Sequence, residues 1–140
     1  MKRLGAIAAL LTLGACQPAG EVPLLISDLE VTPPRPGMQM SAGYFSLRNN
    51  TAKSIVVTRV DSPQFGAVEM HETTTVDGVS RMRPIESLRV EPGATVTLER
   101  GGKHLMLMRP ADTLDTVVLN FYADETLLLS VAARPGDDPA

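Results

Sequence analysis

The strongest limit on what this chain can fold into is the length of its apolar segments. No stretch of ten or more residues combines helical periodicity with caps. Instead, "YFSLRN", "SIVVTRV", "TVTLER", "HLMLM", "TVVLNFY" and "TLLLSVAA" are short, rich in β-branched or aromatic residues, and separated by turn formers. Val96 and Leu98 alternate with Thr95, Thr97 and Glu99, as on a strand with one buried face. Asn49-Asn50, Asp77-Gly78, Pro92-Gly93 and Gly101-Gly102 supply the turns. The pattern predicts an all-β domain of about seven to nine antiparallel strands, built as a sandwich or a Greek-key barrel.

The beginning of the chain, "MKRLGAIAALLTLGACQPAG", follows a different logic. Lys2 and Arg3 precede an apolar run from Leu4 to Leu13, well short of the roughly 20 residues that a spanning helix needs. Leu13-Gly14-Ala15-Cys16 resembles the bacterial lipobox, which implies a signal peptide over 1–15 and a lipid on the Cys16 thiol. Cys16 is the only cysteine in the chain. A plain secretory signal is the alternative, but it leaves an exported thiol unexplained, and lipidation explains it. Gln17 follows where an aspartate would signal retention. By resemblance to lipoproteins of Gram-negative bacteria this implies a periplasmic protein anchored to the outer membrane. Residues 16–23 then form a lipidated tether, 24–134 the folded domain and 135–140 a short acidic tail.

With 13 basic and 16 acidic residues the chain carries −3, and losing Lys2 and Arg3 takes the mature form to −5. That balance speaks against nucleic acid as a partner. A domain of about 110 residues can bury a core without staples, and with no cysteine beyond Cys16 it has to. A monomer is expected.

Both histidines lie beside methionine, in "VEMHETTTVDGVSRMRP" and "GGKHLMLMRP". On a strand, His104, Met106 and Met108 leave the same face. If Asp77-Gly78 forms a two-residue hairpin turn, Val76 faces Val79 and Thr73 faces Met82, which sets Met82 one diagonal step from His71. An imidazole suits several transition ions, whereas an uncharged thioether is a soft donor that adds little to binding Zn(II), Mg(II) or Ca(II). Two histidines and two methionines therefore favour Cu(I). A blue-copper redox centre would need a cysteine thiolate, and none is available in the domain. Singly, each of these residues has a bland explanation: methionine as gap-filling core, histidine as an ordinary hydrogen-bonded side chain.

The spacing is more specific. His71, ten residues, Met82, twenty-one residues and His104-x-Met106 resembles the signature of the periplasmic PCu(A)C copper chaperones. The stretches "AGYFSLRNNTAKSIVVTRVDSPQFGAVEMHE", "RMRPIESLRVEPGATVTLERGGKHLMLM" and "DTVVLNFYADETLLLSVAA" are similar to that family across roughly residues 25–134. The resemblance implies a cupredoxin-like barrel with His71, Met82, His104 and Met106 as Cu(I) ligands. It also implies delivery to the copper-site subunit of cytochrome c oxidase, together with a Sco-type protein. The chain departs from the family at "ADTLDT", which lacks the glycine many members have. Its tail "RPGDDPA" carries no histidine or methionine, so a single copper site is expected.

Other methionines receive other expectations. Met70 points away from His71 and should pack in the core, and Met108 is either an entry ligand or the end of the core, with the core favoured. Met38 and Met40 could form a copper-gathering arm or a loop packed over the barrel. No constellation of nucleophile, base or paired carboxylates suggests an enzyme. Two alternatives to a chaperone stay open: a copper-sequestering envelope protein, and a structural β-sandwich lipoprotein with incidental histidines.

Overall fold

A computed structural model describes residues 22–137. Residues 1–15, Cys16 and most of the expected tether lie outside the described residues. Eleven strands follow in order: β1 (Leu24–Val31), β2 (Met40–Asn49), β3 (Ile55–Val57), β4 (Arg59–Asp61), β5 (Phe65–Val76), β6 (Val79–Pro84), β7 (Leu88–Val90), β8 (Thr95–Leu98), β9 (Lys103–Pro110), β10 (Val117–Ala123) and β11 (Thr126–Ala133). Every pairing is antiparallel. A six-stranded sheet runs β1-β2-β9-β5-β6, with β8 also on β2. A three-stranded sheet runs β11-β10-β4, and β3 pairs with β7.

The count exceeds the expected seven to nine for a local reason. The single segment "SIVVTRV" breaks at Thr58, whose backbone N–H donates to Tyr122 O. Its halves then join different sheets, β3 to β7 and β4 to β10. The all-β class and the antiparallel two-layer arrangement are as the sequence predicts.

The inner faces alternate as burial requires. On β2, Ser41, Gly43, Phe45, Leu47 and Asn49 are buried between partly or fully exposed neighbours. On β9, Leu105 and Leu107 reach 0% exposure. Across the core, Phe121 of β10 meets Phe45 edge-on with ring centroids 5.3 Å apart, an arrangement adding roughly 0.5–1.5 kcal/mol beyond buried area. Asn49 is fully buried and fully satisfied. Its Nδ2 donates to Lys53 O and Val90 O, and its Oδ1 accepts from Thr51 N and Oγ1. It ties the end of β2 to the following turn and to β7.

A tight turn and a left-handed strand residue place the functional strands. Asp77 and Gly78 have φ of 51° and 75°, the two left-handed residues of a tight hairpin turn. They pair Val76 with Val79 and Thr73 with Met82, the register the sequence predicts. At the other end of β9, Arg109 has φ 53° and lays its guanidinium over Gly66, donating to its carbonyl at 2.9 Å. A Cβ on Gly66 would lie 2.6 Å from Arg109 Nε, so a larger residue there has to displace the guanidinium.

Candidate metal centre

The sheet register assembles the site. β5 and β9 pair so that His71 stands directly opposite His104, Glu69 opposite Met106 and Ala67 opposite Met108. All of these side chains leave the outer face, because their neighbours Met70, Leu105 and Leu107 are in the core. The imidazole centroids lie 5.9 Å apart with planes inclined by 46°. Met82, opposite Thr73 on β6, is one diagonal step from His71. Met106 is two residues along β9 from His104, hence about 7 Å away at the backbone.

The hydrogen bonds of the two rings differ, and each leaves one nitrogen open. His104 Nδ1 donates to the carbonyl of Gly102 at 3.1 Å. A carbonyl can only accept, so the proton sits on Nδ1 and the Nε2 lone pair is free. His71 Nε2 contacts Glu69 Oε2 at 2.8 Å. With the carboxylate accepting, the proton sits on Nε2 and the lone pair on Nδ1. That Nδ1 is buried and meets no hydrogen-bond partner among the described residues. Orphaned acceptors at such depth are uncommon in native folds, and a metal ion is one way to satisfy them. A ligand imidazole oriented by a carboxylate or a carbonyl is the usual support of a metal site.

His104 is 8% exposed and Met70 6%. Met82 is half exposed, at 50%. Beside them opens a cleft of about 550 Å³ whose walls include Met82, His104 and Met106 together with Met38, Met40 and Tyr44. Arg100, at its rim, pairs with Glu30 and lies 4.7 Å from the Tyr44 ring centroid.

The structure therefore brings His71, Met82, His104 and Met106 onto one face. Met70 packs in the core, where the sequence places it. Met108 does not: it is outside the core cluster, on the outer face opposite Met40 of β2. The strand keeps its alternation to the end, so its last methionine stays on the ligand side. Met38 closes the Arg35–Met38 turn, its N–H bonded to Arg35 O at 2.9 Å, and lines the cleft with Met40. Sequence reasoning missed Glu69 and Gly102. Glu69 stands two residues before His71 on the same face of β5, and that period of two is the signal that could have found it; Gly102 lies just before β9 and acts through its backbone carbonyl, for which the sequence carries no side-chain signal.

The chain is built like solved PCuAC domains. The copper-bound PCuAC domain from PmoF2 matches with a TM-score of 0.62 at 15% identity, over 83% of this chain and 92% of that one. The apo PCuAC domain from PmoF1 matches with a TM-score of 0.62 at 16% identity, over 83% and 93%. The solution structure of apo-DR1885 from Deinococcus radiodurans gives a TM-score of 0.60 at 25% identity, over 96% and 94%. The class is thus a cupredoxin-like β domain of PCuAC type. Residues 24–129 match the family model described as "Putative lipoprotein LpqE-like", and the chain belongs to that LpqE-like family. Two relatives are an uncharacterized protein of Rickettsia prowazekii, RP573, and "Putative lipoprotein Lxx21020" of Leifsonia xyli. The first is 28% identical over 102 residues, 70% of this chain and 56% of that protein. The second is 32% identical over 73 residues, 51% of this chain and 44% of that protein. The chain spans about half the length of these relatives.

Proposed function

We propose that the protein is an extracytoplasmic lipoprotein, anchored through Cys16, that carries copper as cargo. It holds one Cu(I) between His71 Nδ1 and His104 Nε2, with the thioethers of Met82 and Met106 completing the donor set, and passes the ion on by ligand exchange. The observation that carries this reading is the direct cross-strand pairing of the two histidines, each with one nitrogen held by a protein acceptor and the other left with its lone pair. Copper in the related PCuAC domain from PmoF2 and the lipoprotein naming of the family support it.

The donor set suits a carrier. All four ligands are neutral, so the ion's charge is uncompensated and binding is weaker than with thiolates. Met82, half exposed on the β5–β6 hairpin, is the donor most open to replacement by an incoming ligand. Exchange of one thioether at a time needs no change of oxidation state. The recipient proposed from the family resemblance is a copper-site subunit of cytochrome c oxidase, with a Sco-type protein taking part. Outer-membrane attachment in a Gram-negative envelope belongs to the same proposal.

Anaerobic titration with Cu(I) should give one tight equivalent that excess Zn(II) does not displace, and binding should weaken in acid because both imidazoles must be neutral to coordinate. Replacing Met82 and Met106 together by leucine should remove the preference for copper over zinc. Equal competition by zinc in the native protein would overturn the site. Incubation of the copper form with an apo oxidase copper-site domain then separates delivery from sequestration, since a sequestering protein would retain the ion.

A further inference from the structure

The outer face of the large sheet carries more thioethers than one copper site uses. Its rungs run across β2, β9 and β5. The His104–His71 rung holds the two imidazoles. The next has Met106 between Ala42 and Glu69, and the one after has Met108 between Met40 and Ala67. Rungs on one face are two residues apart, about 7 Å. Met108 is therefore about 14 Å along the strand from His104, too far for an ion to touch both, and Met106 lies midway. The alanines beside Met106 and Met108 have no side chain long enough to cover the sulfurs. Met38 and Met40 are 46% and 40% exposed and line the same cleft as Met82, His104 and Met106. Exposed methionine of this density is not core packing, since the core lies on the other face.

We propose that Met38, Met40 and Met108 form a second, weaker station for a soft monovalent ion, where the cleft edge lined by Met38 and Met40 meets the Met40–Met108 rung. There Cu(I) is captured by thioethers alone before Met106 passes it to the histidine rung. The inference rests on the copper-carrier reading above. Each move replaces one neutral donor by another, thioether by thioether along the methionines and thioether by imidazole at the histidine rung, and leaves the ion as Cu(I).

The test follows the methionine methyl groups by ¹H–¹³C NMR in the mature protein with ¹³C-methyl methionine, during anaerobic Cu(I) addition. The first equivalent should move Met82 and Met106. A second, at tenfold or higher free copper, should move Met38, Met40 and Met108. In His104→Ala, Cu(I) should still move those three. The double variant Met40→Leu/Met108→Leu, close to the native volume, should keep the first equivalent, lose the second, and load from a Cu(I) chelator several-fold more slowly. A second equivalent that leaves the three methyl groups unmoved, or that survives in the double variant, overturns the station. Failure of the first equivalent to move Met82 and Met106 overturns the carrier reading, a separately visible result.

Discussion

β9 has two faces that do opposite work with adjacent residues. Inward, Leu105 and Leu107 are fully buried and hold the two layers together. Outward, His104, Met106 and Met108 leave the face on which the cleft opens. The inner face gains from being sealed, whereas the outer face has to keep donors accessible and satisfied by something other than packing. The alternation of a strand lets both demands be met without compromise, since a change at one position leaves the next pointing the other way.

That division can be broken most forcefully from the inside. Leu107→Ala should cost about 2–5 kcal/mol of fold stability through lost burial and a residual cavity, read by chemical denaturation. The folded fraction should still take up copper one-to-one. If stability were unchanged, the inner face would not be the source of stability. From the outside, His104→Ala should weaken Cu(I) binding by more than about a hundredfold, since changes to supporting residues alone cost 10–100-fold. The apo protein should stay folded. Copper should raise the melting temperature of the native protein by mass action and leave that of the variant unmoved. An unfolded apo variant would make His104 a structural residue.

A finer cut separates ligand from support. Glu69→Ala should weaken copper about tenfold by freeing the His71 ring, and the ¹⁵N shifts of the His71 imidazole should then show mixed tautomers with His104 unchanged. Unmixed tautomers would dismiss Glu69 as the orienting group. Smallest of all is an effect far from the cleft. Glu91 has its carboxyl held below the ordinary value of 4.5 by the Ser54 hydroxyl first and Arg89 second. A depressed carboxylate contributes stability above the unfolded pKa and loses it as pH falls through the folded one. The melting temperature of Ser54→Ala should thus lie slightly below native at neutral pH, and the gap should close in acid below about pH 4.5 with copper binding at neutral pH untouched.

Much of this was legible in local chemistry. Asp77-Gly78 demands left-handed backbone at two positions, and that alone sets the β5–β6 register and places Met82 beside His71. The alternation of "HLMLM" puts His104 with Met106 for the same local reason. The direct opposition of His71 and His104 was not legible, because it depends on pairing strands separated by β6, β7 and β8, and nothing local specifies such a register. Met108 shares the face of His104 and Met106 by the same alternation, so the favoured placing of it at the end of the core went against the strand's own period of two. β9 runs on through Arg109 to Pro110, so the alternation still holds at Met108. The break of "SIVVTRV" into two strands was invisible because the competing partner of Thr58 is Tyr122, far along the chain.

The Gly102 carbonyl accepts both the Thr73 N–H at 3.0 Å and the His104 Nδ1–H. Its acceptor belongs to the backbone, so no codon change at position 102 deletes it. The orienting group of His71 is a side chain, and one nucleotide substitution can remove it. Inherited variation in metal affinity should therefore arrive through position 69 more readily than through position 102, leaving one histidine as the invariant arm of the pair and the other as the adjustable one.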